Sequence, residues 1–390
     1  MKRPHPVRVG VNPFATNTFA VRKPKIVRDI IANNPDYPPV VLDNLAQLAH
    51  DLENRAPIPM INRLASSDYA IWQQAMQRQA GMTSTLTWGD CEWFFGETYL
   101  YRYIMQLVRW FETERDPFLP AKRKELHSAR VWELVNETQA LDGDTGEKLS
   151  ALLAYALWGN RADLSHTVAH QQSAEQVGES DWLADDRDAA IAHLAYAISR
   201  GKAVAHVICD NAGTELTMDL ALVDGLLQGS VHTVVMHVKT HPTFVSDAIV
   251  ADVWLTLEAM TARGGRAAAL GERLRTAWAT GCLTLAPHIY WNSPHLLWEM
   301  PQTLTSAFQD AALVILKGDA NYRRAVGDAL WQPETPFAQV VSYFDAPLLV
   351  LRTMKSDPVV GLPIGMAEQL DTVDVDWRTN GKRGVAQFKA

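Results

Sequence analysis

Between residues 203 and 351 the chain switches repeatedly between two hydrophobic patterns, and that alternation restricts its fold more than any other feature of the sequence. Short apolar runs at 203–209, 231–238, 283–286, 312–316 and 347–351 read as strands, and the stretches between them, such as 216–227, are compatible with helices. Strands in near-continuous apolar runs are buried on both faces. The expected fold is therefore a three-layer α/β/α unit around a mainly parallel sheet.

Upstream the grammar is helical. Apolar residues recur at helical spacing from about 27 to 169, as in Val41-Leu42, Leu45, Leu48-Ala49 and Leu52. The stretch 99–111 continues the pattern, and 148–158 is nearly all apolar or small, which predicts a helix buried on most sides. Residues 171–188 then lose apolar periodicity and gather Glu175, Glu179, Asp181, Asp185, Asp186 and Asp188, the pattern of a surface connection. A chain of 390 residues carries two or three domains, or one large α/β domain with an appendage, at about 150 residues each. We therefore expect a mostly helical domain over 1–188 and an α/β/α domain over 189–390.

Composition narrows the function classes. With 47% hydrophobic residues and 13 Trp, the chain has enough apolar surface to offset its ordering entropy, which excludes disorder as the main state. Subtracting 44 Asp and Glu from 36 Lys and Arg gives −8, a balance that argues against a general nucleic-acid binder. The basic start Met1-Lys-Arg-Pro-His-Pro leads into no apolar segment, and no uninterrupted apolar run reaches the ~18 residues of a membrane span. Cys91, Cys209 and Cys282 are too scattered for a disulfide framework or a metal knuckle, so a reducing, cytoplasmic setting is expected.

In open α/β sheets ligands bind beyond the carboxyl ends of the strands, and those positions are unusually polar here. The first run leads into Asp210-Asn211-Ala-Gly-Thr-Glu215, and the second into Lys239-Thr-His241-Pro and then Ser246-Asp247. The later ones lead into Lys317-Gly-Asp319 and Arg352-Thr353-Met354-Lys355. Asp and Asn oxygens are hard ligands suited to Mg²⁺ or Mn²⁺, and Lys and Arg suit phosphate oxygens. The mixture predicts a metal-assisted phosphoryl site, with Asp210, Asn211 and Asp247 holding one divalent ion. Lys317, Arg352 and Lys355 would neutralise transition-state charge, while Asp247 or Asp210 orients a nucleophilic water. Glu215, one helical turn past Asn211, either reaches that water or is a capping or solvated glutamate. Taken singly, Asp210-Asn211 also reads as a helix cap and each cation as a surface charge. The convergence of four strand ends favours the site.

These segments also carry a resemblance. Asp210-Asn211-Ala-Gly-Thr-Glu215, Phe244-Val-Ser246-Asp247, Lys317-Gly-Asp319-Ala-Asn321-Tyr322-Arg323 and Arg352-Thr353-Met354-Lys355 resemble, in order and spacing, the damage-control phosphatase family. The likeness is to its acidic-residue-methyltransferase-like branch, with the Arg-Thr-x-Lys signature. It extends through Glu97-Thr-Tyr99-Leu-Tyr101-Arg102 and Trp158-Gly-Asn160-Arg-Ala-Asp163-Leu-Ser165. The resemblance implies a helical domain packed on an α/β/α domain, and one divalent metal (manganese, cobalt, nickel or magnesium) on Asp210, Asn211 and Asp247. It further implies hydrolysis of phosphate monoesters of small metabolites, typically sugar phosphates such as fructose 1-phosphate or fructose 6-phosphate. Substrate contacts are implied for Arg352, Thr353, Met354, Lys355, Ser356 and Lys382, and expected for Glu215, Lys317 and Asp319. Glu97 and Arg102 are either a structural ion pair or groups that close the pocket across the domain interface.

An S-adenosylmethionine-dependent protein-glutamate O-methyltransferase is the alternative reading. It is disfavoured because no Gly-x-Gly loop follows the first strand, and methyl transfer has no need of three oxygen ligands beside three cations. His166 and His170 have the i, i+4 spacing of a zinc pair but lack the glutamate of the hydrolytic motif. Asp142-Gly-Asp144-Thr145 and Asp374-Val-Asp376 are similar to an aspartyl-nucleophile motif, but neither has Thr or Val at the fifth position after a hydrophobic strand. Trp88, Trp93, Phe94 and Phe95 read as core between the domains, with a sugar-stacking wall as the lesser alternative.

Overall fold

The computed structural model describes residues 2–62, 68–82, 85–159, 181–229 and 231–390. Its sheet has seven strands: β1 (Trp182–Asp185), β2 (Val204–Ile208), β3 (Thr233–Val238), β4 (Leu283–Pro287), β5 (Ala311–Lys317), β6 (Leu348–Thr353) and β7 (Gly384–Lys389). Their order is β1-β7-β6-β5-β2-β3-β4, and every neighbouring pair is parallel except the antiparallel β6–β7. The five strands expected from sequence are β2 to β6, which lie side by side with β4 at one edge of the sheet. β1 and β7 are not announced by the apolar pattern, and β1 corrects the reading of 171–188 as a connection alone, since its last residues supply an edge strand. The residues 160–180, with Asn160, Asp163, Ser165, His166 and His170, lie outside the described residues.

The two-residue repeat of a strand divides each one between two cores. Leu313 and Ile315 of β5 pack with Ala205, Val207, Val234 and Met236 on one face, whereas Val314 and Leu316 join Ile208, Leu348 and Val350 on the other. Helices Ala129–Thr138, Thr145–Trp158, Arg187–Ser199, Thr214–Gln228, Val250–Arg263 and Gly265–Ala279 bury residues in the first core. Helices Gln302–Ala307, Asp319–Val326, Phe337–Val340 and Met366–Val373 do so in the second. The three-layer arrangement is thus present.

A third cluster, from Val7 to Phe118, is built on helices Lys23–Asn33, Pro39–Glu53, Tyr69–Ala80 and Trp93–Leu107. Cluster membership changes between Phe118 and Val131, well before the division at 188 that the sequence suggests. The reason is that helices Ala129–Thr138 and Thr145–Trp158 lay their apolar faces on helix Thr214–Gln228. The helical run expected over 99–111 is also interrupted, because Arg109 turns into the left-handed region (φ 57°) before the short helix Trp110–Thr113. Asp144 proves to be a cap: it accepts from the Glu147 N–H, and the Asp144 N–H donates to the Glu147 carboxylate, both at 2.9 Å. Among the described residues no helix is long and apolar enough to cross a membrane.

The topology places one crevice. From β2 the chain winds to β3 and β4 on one side, and from β5 to β6 on the other, so the adjacent β2 and β5 mark the reversal. A ligand-binding crevice is expected beyond their carboxyl ends.

Candidate active site

Beyond β2 the chain passes through Asp210, Asn211 and Ala212, then turns at Gly213 (φ 72°) into helix Thr214–Gln228. The Glu125 carboxylate accepts the Thr214 N–H at 2.9 Å and caps this helix start. A second segment, following β3, folds back against the first. Asn211 and Asp247 form an antiparallel bridge, with Ala212 N–H donating to the Ser246 carbonyl at 2.6 Å and Ala248 N–H to the Asp210 carbonyl at 2.7 Å. The Ser246 hydroxyl donates to Asn211 Oδ1 at 2.5 Å. Phe244 and Val245 reach this bridge through left-handed backbone, φ 49° and 75°. For a β-branched residue that conformation is strained and needs support from its surroundings.

On the other side of the reversal, β5 ends at Lys317 and helix Asp319–Val326 begins after Gly318 (φ 86°). A Cβ at 318 would lie 2.0 Å from Asp210 Oδ2, so only glycine lets the Asp210 carboxylate sit there. The helical region forms the opposite wall. A π-helical turn, Thr18–Arg22, delivers Arg22 and Lys23, and helix Trp93–Leu107 delivers Trp93, Glu97 and Tyr101. Together with Phe244, Asp319, Arg323 and Lys355 these groups enclose a cavity of about 170 Å³ that contains Asp210, Asn211 and Asp247.

The two walls differ in charge balance. Glu97 receives Lys23 and Arg323, each at 2.5 Å, and Arg323 also holds Asp328 at 2.6 Å. Burial opposes ionisation of Glu97, yet the two cations overrule it and hold the carboxyl down at about 2. Asp210 goes the other way. Burial, then the Asp247 and Glu215 carboxylates, push it well above the usual carboxylate range despite Lys239 and Lys355. Burial likewise raises Asp247 to about 6, with Lys239 at 3.3 Å pulling against it.

This donor set suits a hard divalent cation. Asp247 Oδ2 is buried and, among the described residues, is met only by the Lys239 ammonium at 3.3 Å. The Asn211 amide donates to Asp210 Oδ2 at 2.7 Å and to Glu215 Oε2 at 2.8 Å, which fixes which way its oxygen points. Among the described residues no group of three His, Cys, Asp or Glu forms a metal cage, so the third protein ligand would be that amide oxygen.

Of the residues expected at the site, Asp210, Asn211, Asp247, Asp319, Lys355 and Glu97 line the cavity. The others do not, for identifiable reasons. Lys317 is buried between Glu215 (2.9 Å) and Asp219 (2.7 Å), which places Glu215 and Lys317 behind Asn211 rather than in the cavity. Arg352 is held by Asp319 at 2.8 Å, by Ser356 and by the Pro358 carbonyl, and lies over the Tyr322 ring. Its role as a phosphate contact is corrected to that of a brace for Asp319, shared with the Ser356 hydroxyl at 2.9 Å. Thr353 is paired with Gly384 in the sheet, and Met354 is buried in the second core. Lys382 is exposed outside the cavity. Arg102 pairs with Asp68 at 2.7 Å and lies over Phe111, so the ion pair it makes is not with Glu97, and it lies outside the cavity.

Sequence reasoning gave no role to Lys23, Asp219, Lys239, Phe244 or Arg323, although the last three lie in segments it singled out. A signal existed for two of them. Lys239 follows β3 as Asp210 follows β2, and Glu215 with Asp219 present an i, i+4 carboxylate pair to receive a cation. Trp88 is core as expected, whereas Trp93 also reaches the cavity and supports Arg323 at 3.5 Å.

Comparison with known proteins bears on the same segments. A family model described as the damage-control phosphatase ARMT1-like domain matches residues 19–370. Damage-control phosphatase ARMT1 of Danio rerio is 30% identical over 380 residues, covering 89% of this chain and 84% of the relative. The Homo sapiens protein of that name is 30% identical over 384 residues, covering 88% and 85%. A solved structure of a DUF89 family protein from Pyrococcus horikoshii overlays with a TM-score of 0.47 at 16% identity, covering 97% of this chain and 98% of that one.

Proposed function

The chain belongs to the ARMT1-like damage-control phosphatase family, and from that premise we propose that it hydrolyses phosphate monoesters of small metabolites with one divalent metal ion. Asp210, Asn211 and Asp247 would hold the ion. The observation that carries this reading is the meeting of those three oxygen donors in one cavity, with cations on its walls.

When bound, manganese, cobalt, nickel or magnesium would supply a positive charge for a phosphoryl oxygen and acidify a water. The chain's own residues do the rest. Asp247 or Asp210 orients the attacking water by accepting a hydrogen bond from it. Lys355 and Arg22, which make no hydrogen bond or ion pair among the described residues, neutralise the phosphate oxygens, in place of the enclosed Lys317 and Arg352. The Glu97–Arg323–Asp328 chain keeps the helical wall rigid and, with Trp93 and Phe244, excludes water around the organic part. Sugar phosphates such as fructose 1-phosphate or fructose 6-phosphate are the proposed substrate class, and the three free thiols favour a cytoplasmic setting.

The test is phosphate release from a panel of sugar phosphates with manganese or cobalt, with and without chelator, alongside Asp247→Ala. Metal-dependent release that disappears in the variant is expected. Release indifferent to chelator, or methyl transfer to protein glutamates without phosphate release, would overturn the reading.

A further inference from the structure

We propose that Lys122 is a positioning residue for Asp247, its ammonium anchoring from outside the sheet the strained turn that aims this carboxylate into the cavity. Lys122 lies on helix Leu119–Leu126, is buried, and donates to the Asp247 main-chain oxygen at 3.2 Å. It also donates to Asp252 Oδ2 at 2.7 Å and to Asp116 Oδ2 at 2.9 Å.

Each partner pins a different segment. Asp116 Oδ1 accepts the Phe118 N–H at 2.8 Å and fixes the entry to the lysine's own helix. Asp252 Oδ2 accepts the Ile249 N–H at 3.0 Å and fixes the start of helix Val250–Arg263. Between these fixed points runs the turn through Phe244 and Val245, whose left-handed backbone relaxes unless it is held. Asp210, Asn211 and Ala212 hold the turn from the sheet side. Lys122 holds it from the helical side. A charged donor in a buried site makes a strong hydrogen bond, and two carboxylates keep this ammonium charged. Groups that orient metal ligands in this way change metal affinity when lost, even though they touch neither metal nor substrate.

The proposal rests on the metal-phosphatase reading, and the test separates the two. Lys122→Met alone strands two buried carboxylates and is expected to unfold the chain. The informative variant is Lys122→Met/Asp252→Asn in the full chain, which removes one charge of each sign and keeps an acceptor for the Ile249 N–H. Manganese binding is measured by calorimetric titration at a temperature where the variant is folded by circular dichroism, with wild type and Asp247→Ala beside it. Binding weaker by about 10- to 100-fold supports the proposal, with hydrolysis recovering toward wild type at saturating manganese. A lowered melting temperature with wild-type manganese affinity means a merely structural lysine and overturns it. Should the double variant fail to fold, Lys122→Arg, which shifts the donor relative to the Asp247 carbonyl, is read in the same way. If wild type and Asp247→Ala alike bind no manganese, the metal reading falls and takes this one with it. If only Asp247→Ala loses binding, the Lys122 proposal alone falls.

Discussion

Glu97 and Asp247 line one cavity and are both cut off from water, yet their protons are held with opposite strength. Glu97 has two cations at contact distance, which more than offset its burial. Asp247 has one lysine in contact, Lys239 at 3.3 Å, with Lys122 acting from further off and the Glu215 carboxylate opposing both, and burial wins. The lesson concerns charge balance. A buried carboxylate with its full complement of partners is scaffolding, whereas one left short of positive charge is prepared to receive a cation or a proton.

That contrast can be broken most directly at Asp247. Asp247→Asn is expected to cut hydrolysis by about 100-fold or more, while the chelator-treated protein melts no lower than wild type, because ionised Asp247 is disfavoured in the fold. A lower melting temperature with activity retained would reverse the assignment of scaffold and site. Glu97→Gln should behave oppositely. It leaves Lys23 and Arg323 short of a buried partner and is expected to cost about 3 kcal/mol in urea unfolding.

The acid limb of stability sharpens the same comparison. Glu97 ionises at about 2 when folded against 4.5 in the unfolded chain, so its contribution is fully present above about pH 4.5 and is lost as pH falls toward 2. Urea midpoints taken between about pH 5 and pH 3 should fall less steeply in Glu97→Gln than in wild type. The smallest expected effect is at the exposed rim. Lys355→Gln should raise KM about tenfold by removing a charged hydrogen bond to phosphate, with melting unchanged, whereas Lys382→Gln should leave KM where it is. Equal effects of the two would mean that the cavity extends beyond the walls described.

What the sequence made legible follows from range of interaction. Strands β2 to β6 and the segments after them were readable because an apolar run and the polar residues that end it are adjacent in the chain. Asp210 and Asn211 were legible as cavity-lining residues for that reason, whereas Asp247 lies further along the polar segment after β3. The pairings were not legible. Arg323 meets Glu97 across 226 positions, and nothing near either residue marks the other. Lys317 looked like a cation facing the phosphate because it ends a strand, but Glu215 and Asp219 on the helix after β2 enclose it. β1 escaped notice as four residues at a sheet edge, with too little apolar repetition to register. Arg352-Thr353-Met354-Lys355 divides by direction: it straddles a strand end, so only Lys355 faces the cavity.

The close approach at Gly318 has a practical corollary for anyone varying this gene. Every other amino acid at that codon would bring a side-chain carbon onto the Asp210 carboxylate while leaving both cores beneath it untouched. A saturation library there should yield many clones that express and purify like the parent, with turnover confined to those that kept glycine, so a screen for yield alone would pass inactive protein.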